Sequence, residues 1–336
     1  MNVSNPVSRG ESKGWFGIIR KSVYAQLAIL FVIVIIWPFV IPLIGGYDGL
    51  AIEMLIFSIF AMGFNVLLGY TGILSFGHAA FFGLAGYAMG LILIHMKIPI
   101  LLGMLFGIVL STLTAALIGL LIIRKTGIYF AMLTIAFGQM FFFIASRWKD
   151  FTGGEDGLTG IPRDVIGIPG LFAIPIEKPL QFYYFVVAIF MIAAILKYKL
   201  IHSHFGMVLK TIRENENRAK MVGYNVRQYK LASFIIAAIY AAVAGTLYGL
   251  FLNYMFPQTL DWIRSGDIVI MTLVGGMGTF FGPIIGAGVV VALRVLISIY
   301  AKIGGLVFWQ FFMGIIFLIF VLFFPRGIWG FFQKRE

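Results

Sequence analysis

Ten apolar stretches, each close to the length of a membrane-spanning helix, make up most of this 336-residue chain. A helix needs roughly 20 consecutive apolar residues to cross the hydrocarbon core of a bilayer. Inside that core the backbone must satisfy its own hydrogen bonds, which a helix does within one segment. The stretches cover residues 24–44, 50–68, 73–96, 98–123, 128–146, 180–196, 231–252, 265–281, 284–301 and 306–324. The pattern predicts an all-α integral membrane protein with about ten transmembrane helices.

The composition argues against a soluble fold. The chain is 61% hydrophobic and 11% charged, whereas soluble domains average roughly 45–50% apolar and about 25% charged residues. A folded globule of this size needs a more polar surface than such a chain supplies. The absence of cysteine excludes disulfides, thiolate metal sites and thiol nucleophiles, and the four histidines show no metal-ligand spacing. We therefore predict neither a metal nor a cofactor.

The distribution of basic residues predicts the orientation of the chain. There are 25 Lys and Arg against 13 Asp and Glu, a net charge of +12. With the N-terminus inside, 17 basic residues fall in cytoplasmic segments and 7 in external ones, while Arg294 falls within a stretch. Cytoplasmic loops of membrane proteins are enriched in Lys and Arg. We interpret the positive charge as a topology signal, not a nucleic-acid surface, and expect both termini in the cytoplasm.

This orientation predicts how the chain is divided. A cytoplasmic N-terminal segment covers residues 1–23, the transmembrane domain covers 24–330, and a cytoplasmic tail covers 331–336. Within the domain, a Gly- and Pro-rich external loop covers 147–179 and a polar cytoplasmic loop covers 197–230. Loops of such length are usually functional or disordered.

Two glycine-rich clusters stand out among the 40 glycines. The first, residues 69–83, lies between two apolar stretches and predicts a broken or re-entrant helix beside a pathway, because backbone groups freed inside a membrane need protein or a water-lined cavity. The second, residues 275–283, predicts a tight turn, which a plain hairpin and a pathway element explain equally well. Elsewhere, glycines four residues apart, such as Gly245 and Gly249, predict close helix packing. The candidate pathway residues are Gly69, Thr71, Gly72, Ser75, Gly77, His78, Gly275, Gly276 and Gly278.

No energy source for transport is visible within the sequence. There is no G-x-x-x-x-G-K-[ST] loop for ATP. Ion-coupled carriers usually place ionisable residues inside the membrane. Here Glu53 and Asp267 lie near the ends of their stretches, and Arg294 is the one charge well inside a stretch. We therefore expect a non-enzymatic protein whose energy comes from a partner.

The polar loop is predicted to contain an amphipathic helix over residues 207–222. The residues that fall roughly on one helical face are Val208, Leu209, Ile212, Ala219 and Val222. The opposite face mixes basic and acidic residues, which favours a protein partner over lipid headgroups. Gly223 suits a left-handed stop at the end of the helix.

Several sequence blocks occur in an order that is typical of one family. They include residues 65–83 (Asn-Val-Leu-Leu-Gly-Tyr-Thr-Gly-Ile-Leu-Ser-Phe-Gly-His-Ala-Ala-Phe-Phe-Gly), 152–157 (Thr-Gly-Gly-Glu-Asp-Gly), 212–216 (Ile-Arg-Glu-Asn-Glu), 223–226 (Gly-Tyr-Asn-Val), 275–278 (Gly-Gly-Met-Gly) and 324–327 (Phe-Pro-Arg-Gly). Over about residues 51–330 the chain resembles the permeases of bacterial and archaeal branched-chain amino-acid ABC importers, LivM type.

The resemblance implies a partnership with other proteins. It implies two homologous permease subunits around a shared pathway, two ATPase subunits on the cytoplasmic face, and an external solute-binding protein, all at the cytoplasmic (inner) membrane of a bacterium or archaeon. It also implies that the segment 213–223 docks the ATPases. The candidate coupling residues are Arg213, Glu214, Glu216, Arg218 and Gly223.

Three alternatives remain beside a permease for branched-chain amino acids. Importers of urea and short-chain amides are similar in these motifs, so their permease is one alternative. A self-sufficient carrier or channel would keep the broken helices but would need an ion site. A membrane scaffold would leave the polar cluster 69–83 unexplained.

Overall fold

The computed structural model describes residues 23–40, 49–163, 165–168, 172–300, 302–303, 306–307, 311, 314–315, 317–318, 322–323 and 327–332. In chain order its elements are α1 (Val23–Val40), α2 (Gly49–Asn65), a π-helical turn (Val66–Thr71), α3 (His78–Met96), α4 (Ile100–Ile122), α5 (Ile128–Arg147), α6 (Lys149–Thr152), a 3-10 turn (Gly154–Asp156), β1 (Leu158–Thr159), β2 (Val165–Ile168), β3 (Phe172–Pro175), α7 (Pro179–Ile201), α8 (His204–Glu214), α9 (Glu216–Met221), α10 (Val226–Leu252), β4 (Tyr254–Met255), a 3-10 turn (Pro257–Leu260), α11 (Trp262–Gly275), α12 (Gly282–Tyr300), β5 (Lys302–Ile303), β6 (Leu306–Val307) and α13 (Gly327–Phe332).

Six helices of the described part are long and apolar enough to cross a membrane. They are α2 with its π-helical turn, α3, α4, α5, α7 and α10. This confirms a predominantly helical, multi-pass membrane architecture, while the count of ten spans stays a prediction. Most of the stretch 306–324, residues 41–44 of the first stretch, nearly all of the N-terminal segment 1–23 and residues 333–336 of the tail lie outside the described residues.

Helix α2 lies at the centre of the bundle. Its residues are buried almost without interruption from Leu50 to Asn65, on every helical face. Helices α3 and α10 pack on it through aromatic rings, with Phe60 stacked on Phe82 at a centroid distance of 5.2 Å. A helix that is apolar all round is typical of a protein core or a membrane span, and α2 is surrounded by other helices.

Glycine brings the helices around α2 into backbone contact. A Cβ at Gly245 in α10 would overlap the carbonyl oxygen of Phe82 in α3. A Cβ at Gly107 in α4 would likewise overlap the carbonyl oxygen of Ala85. Small residues allow such close approach between membrane helices, so the predicted glycine packing is confirmed at these crossings.

Three short antiparallel ribbons complete the described structure: β1 with β4, β2 with β3, and β5 with β6. In the first ribbon Leu158 pairs with Met255 and Thr159 with Tyr254. The loop that precedes α7 is thereby fastened to the C-terminal end of α10.

The predicted span over residues 265–281 is wrong as a single helix. Helix α11 ends at Gly275, and residues 276–281 form a turn before α12. With 14 residues, α11 is about 21 Å long, shorter than the roughly 30 Å of hydrocarbon. Hydropathy overlooked the turn because its Phe280 and Phe281 continue the apolar run.

The single amphipathic helix predicted over residues 207–222 is also wrong. Asn215 has extended backbone angles (φ −158°, ψ 102°) and separates α8 from α9. Its side-chain oxygen accepts a hydrogen bond from the N–H of Arg218 at 2.9 Å, so Asn215 is the N-cap of α9. The apolar face is buried as predicted at Val208, Leu209, Ile212 and Ala219, but Val222, which follows the last residue of α9, is exposed.

Candidate functional site

The first glycine cluster interrupts the helical path after α2, as predicted. The π-helical turn ends at Gly72, whose φ of +78° lies in the left-handed region that favours glycine. Residues 72–77 are not helical, and α3 begins at His78. The N–H groups of Gly72 and Ile73 donate to the carbonyls of Leu68 and Leu67 and close the turn.

Side chains of two other helices satisfy the backbone that this break leaves open. The N–H of Phe76 donates to Thr134 Oγ1 in α5 at 3.1 Å. The N–H of Ala79 donates to Ser265 Oγ in α11 at 2.9 Å. The first N–H groups of a helix have no partner within it. Hydroxyls from α5 and α11 therefore replace the water that is absent inside a membrane.

Ser75 and His78 lie inside the subunit. The Ser75 hydroxyl and His78 Nδ1 are 2.8 Å apart, and both residues are fully buried. The imidazole ring packs nearly perpendicular to the rings of Phe64, Phe81 and Phe234, at centroid distances of 5.6, 5.5 and 4.9 Å. Of the predicted pathway cluster, Thr71 and Gly77 are buried as well, whereas Gly72 is exposed.

The second glycine cluster forms the turn between α11 and α12. Gly275 and Gly276 are buried, and a Cβ at Gly275 would overlap the carbonyl oxygen of Gly282. The hydroxyl of Thr279 donates to the Gly276 carbonyl at 2.8 Å and accepts from the N–H of Gly282 at 3.0 Å. The hairpin interpretation accounts for Gly275 and Gly276, whereas the N–H of Gly278 donates to Asn65 at the end of α2.

The two glycine clusters meet at Asn65, a fully buried residue at the end of α2. Asn65 Oδ1 accepts a hydrogen bond from the N–H of Gly278 at 2.9 Å, and Asn65 Nδ2 donates to the Thr279 carbonyl at 2.8 Å. A Cβ at Gly69 would overlap Asn65 Oδ1 and lie 2.6 Å from the Gly278 nitrogen. Sequence analysis missed Asn65 as a site residue, although an amide at the end of an apolar stretch was a readable signal.

Helix α8 packs directly against the π-helical turn, where Leu209 contacts the buried Val66 and Tyr70. We call this end of the bundle the α8 face. Arg213 Nη1 donates a hydrogen bond to the Gly69 carbonyl. Lys210 Nζ lies 5.6 Å from the centre of the Tyr70 ring. Cations are favourable at the C-terminal end of a helix, where carbonyls lack partners.

Lys197 connects the start of the polar loop to the second glycine cluster. Its buried Nζ donates to the Phe280 carbonyl at 3.1 Å. The helical path is interrupted at residues 66–77 and at residues 276–281, which we call the two interrupted segments. The loop contacts the first through Arg213 and the second through Lys197.

The five predicted coupling residues differ in the contacts that they make. Arg213 turns toward Gly69, and Glu216 forms ion pairs with Lys220 at 3.0 Å and Lys230 at 2.6 Å. Burial would raise the pKa of the Glu216 carboxyl, but hydrogen bonds and charges from the two lysines outweigh it and lower the pKa. Arg213, Glu214, Arg218 and Gly223 are all exposed, and Gly223 has the predicted left-handed backbone with φ +96°.

A charged cluster joins α2, α11 and α12. Arg294 approaches Glu53 at 3.4 Å and Asp267 at 3.3 Å, and Arg264 approaches Asp267 at 3.5 Å. Sequence analysis named three of these residues separately and missed Arg264. Two arginines and two carboxylates balance one another, as partly buried charges require. Throughout the described residues, no group of three or more His, Cys, Asp or Glu is placed to hold a metal ion.

The family model for "Branched-chain amino acid transport system / permease component" matches residues 46–321. The chain belongs to this family. The permease is 24% identical over 288 residues to "High-affinity branched-chain amino acid transport system permease protein LivM" of Escherichia coli and to its namesake in Salmonella typhimurium, covering 80% of this chain and 67% of each relative. It is 31% identical over 105 residues to "Probable branched-chain amino acid transport permease protein LivM" of Methanocaldococcus jannaschii, covering 30% of each chain. No solved structure matches the permease.

These matches confirm the resemblance found in the sequence. The protein is a permease of branched-chain amino acid transport, and its role in such a system is passage of solute, not catalysis. The residues that organise this permease around its interrupted helices include Asn65, Thr134 and Ser265, which sequence analysis did not single out. Thr134 and Ser265 act at positions far from the break in sequence, so no local pattern marks them.

Proposed function

We propose that this permease is the membrane subunit of an ATP-driven importer for branched-chain amino acids in the cytoplasmic membrane of a bacterium or archaeon. In this proposal it pairs with a second, homologous permease, receives solute from an external binding protein, and is driven by two ATPase subunits. A relative named as a LivH permease of Methanocaldococcus jannaschii, 32% identical over 130 residues, supports pairing between two related permeases. The family match over residues 46–321 carries the proposal.

We propose ten membrane passages with both termini in the cytoplasm, the eighth made by the short helix α11 together with the residues that lead into the turn 276–281. The segments assigned to the cytoplasmic side by charge, the loop 197–230, the end of α2 and the turn 276–281, meet one another at the α8 face. Segments assigned to the external side also meet, since β1 pairs with β4 and Asn253 Nδ2 donates to the Ile161 carbonyl at 2.9 Å. The basic-residue asymmetry then assigns the α8 face to the cytoplasm.

The same orientation supports the division into segments 1–23, 24–330 and 331–336, with an external loop 147–179 and a cytoplasmic loop 197–230. Reporter fusions after Asp156 and after Glu216 should read opposite sides of the membrane. Two cytoplasmic readings would contradict the orientation and these boundaries together.

The solute pathway is proposed to run beside the break between α2 and α3. Gly72 and Leu74 reach the surface of the subunit there, where a second permease would complete the wall. Ser75, Gly77 and His78 support that wall from inside, and the hydroxyls of Thr134 and Ser265 hold the break open without exposing unpaired backbone.

The ATPases are proposed to dock on the outward side of α8 and α9, which presents Glu214 and Arg218. The Glu216 ion pairs fasten α9 to α10, so force on α9 reaches a membrane helix. Gly223 allows the sharp exit from α9. This divides the predicted coupling residues into outward contacts and internal supports.

The decisive experiment is reconstitution of the permease in proteoliposomes with its second permease, both ATPases and the binding protein. Uptake of radiolabelled L-leucine should require ATP and the binding protein. Inhibition of L-leucine uptake by urea or acetamide, but not by L-isoleucine, would favour the amide alternative. Uptake by the permeases alone, driven by an ion gradient, would favour a self-sufficient carrier.

A further inference from the structure

Five residues at the α8 face form one unit of hydrogen bonds and close packing contacts, which we call the Asn65 cluster: Asn65, Gly69, Arg213, Gly278 and Thr279. We propose that the Asn65 cluster transmits displacement of α8 to both interrupted segments at once, and that Arg213 is its positioning residue. The proposal rests on the proposed function in one respect, namely that α8 moves when the ATPases act.

The first step is that Arg213 faces the membrane helices. Its Nη1 donates to the Gly69 carbonyl, and its Cγ lies 3.1 Å from a Cβ position built on Gly72. Arg213 and the neighbouring Glu214 are both exposed, but the guanidinium of Arg213 also reaches the membrane helices. The side chain of Arg213 therefore makes a contact within the permease, and we assign Glu214 to the external partner.

The second step is that the Gly69 carbonyl lies where regular helix ends. The π-helical turn stops at Thr71 and Gly72 is left-handed, so the last carbonyls of this segment lack the usual donors four residues later. A charged donor is especially favourable here, because it also complements the helix dipole. Withdrawal of α8 would remove the guanidinium donor and leave the Gly69 carbonyl without this hydrogen bond.

The third step is that Asn65 makes the two interrupted segments respond together. Its side-chain oxygen accepts a hydrogen bond from the Gly278 N–H at 2.9 Å, and its side-chain nitrogen donates to the Thr279 carbonyl at 2.8 Å. Gly69 packs against the same amide with no room for a side chain. A Cβ on Gly278 would lie 2.8 Å from Arg213 Nη1, so the guanidinium contacts both segments.

Together these contacts describe a discrete switch. One guanidinium holds a carbonyl of the first segment, and one buried amide links that segment to the second. Packed contacts of this kind shift between arrangements as units. A shared network alone does not establish coupling, so the test measures the response of each segment separately.

The first arm of the test uses hydrogen exchange of the purified full-length permease, with Arg213→Met compared with Arg124→Met. Arg124 is an exposed basic residue in the turn after α4, so its variant is a control for loss of one positive charge. We expect exchange at residues 66–72 and 276–281 to accelerate at least tenfold in Arg213→Met only, with residues 154–160 unchanged. Acceleration confined to residues 204–214 would overturn the proposal.

The second arm uses the reconstituted complex. Arg213→Met should keep the ATPases bound and hydrolysing ATP, while L-leucine transported per ATP falls at least tenfold. Arg213→Lys, which keeps a cationic donor, should recover part of that ratio. Loss of ATPase binding in Arg213→Met would instead make Arg213 a docking contact and overturn its role. If the unmodified complex takes up no L-leucine, the proposed function fails, and the exchange arm still decides the Asn65 cluster.

Discussion

Gly69 shows how little space a single position leaves in this fold. A Cβ there would overlap Asn65 Oδ1, so Gly69→Ala must displace the amide that joins the two interrupted segments. Overpacking of this kind typically costs about 1–3 kcal/mol. We expect Gly69→Ala to lower the thermal unfolding temperature of the purified permease in detergent.

The matched control for this prediction is Gly288→Ala. Gly288 also lies in a helix, but a Cβ there would have no neighbouring heavy atom within 4 Å. Alanine is favoured over glycine in a helix by up to about 1 kcal/mol, so this variant should unfold at the same temperature or higher. Equal unfolding temperatures for Gly69→Ala and the parent chain would refute the steric argument.

The charged cluster that joins α2, α11 and α12 gives a second prediction at the residue scale. Side chains of Glu53, Asp267 and Arg294 are between 12% and 23% exposed, so removal of one charge leaves its partners poorly solvated. Breaking such a pair costs about 3 kcal/mol or more when the partner stays buried. Arg294→Met should destabilise the permease strongly in thermal unfolding, even though methionine is the more apolar side chain.

Charge balance provides the control for Arg294. The double variant Glu53→Gln with Arg294→Met keeps Arg264 paired with Asp267, and should regain part of the lost stability. A double variant that is as unstable as the sum of the two single variants would show that packing, not charge, dominates there.

The helices and turns differ in how well their ends could be predicted from the sequence. The break at Gly72 was predictable, because glycine and small polar residues interrupt an apolar run. The turn after Gly275 was marked by the glycine cluster 275–283 but not by hydropathy, because apolar residues continue through the turn. The Asn215 cap carried a readable signal, but the amphipathic pattern across it suggested one continuous helix. Thr134 and Ser265 became site residues only through tertiary packing.

At the scale of elements, α9 should respond to pH through Glu216. The pKa of this carboxyl is lowered from its ordinary value of 4.5 in the fold. Its contribution to stability is therefore complete above about pH 4.5 and is lost as the pH falls through the lowered pKa. Hydrogen exchange of residues 216–222, corrected for the intrinsic rate, should therefore accelerate as the pH falls below about 4.5.

Glu216→Gln is the corresponding control, because glutamine keeps the shape and removes the titration. In this variant the exchange of residues 216–222 should be faster at neutral pH and nearly independent of pH. A Glu216→Gln variant whose exchange at neutral pH equals that of the parent chain would contradict the role given to the two lysine pairs.

The break between α2 and α3 also predicts which of its positions reagents reach. Leu74 is 37% exposed, whereas Ser75 is fully buried. Because the chain contains no cysteine, Leu74→Cys and Ser75→Cys can be compared directly. A small aqueous thiol reagent should modify the first and spare the second. The reverse order of reactivity would place the wall of the pathway on the Ser75 side.

On the scale of the whole molecule, the bundle has a polar assembly at each end. The α8 face gathers the loop 197–230 and both glycine clusters, and the opposite end gathers the loop before α7 against the end of α10. Hydropathy predicted the helices that lie between them. It could not predict which ends meet, because hydrogen bonds such as Asn65 to Thr279 join residues more than 200 positions apart.

Arg163 is the residue through which the end opposite the α8 face can be tested as a unit. Its guanidinium donates to the carbonyls of Phe251 and Glu177, both at 3.2 Å, and lies 5.1 Å from the centre of the Phe182 ring. It thus fastens the loop 147–179 to α10 and α7. Without it, two backbone carbonyls and an aromatic face lose a shared cation, a loss of about 1–3 kcal/mol in local stability.

Limited proteolysis of membrane vesicles should therefore reveal both the anchor and its side of the membrane. Arg163→Met should increase cleavage within residues 147–179 several-fold relative to Arg147→Met, which removes an exposed charge from the end of α5. The increase should occur in right-side-out vesicles and be absent in inverted ones, because this end is proposed to be external. Cleavage that increases only in inverted vesicles would reverse the orientation while leaving the anchor intact. Equal cleavage of both variants would instead remove the anchor.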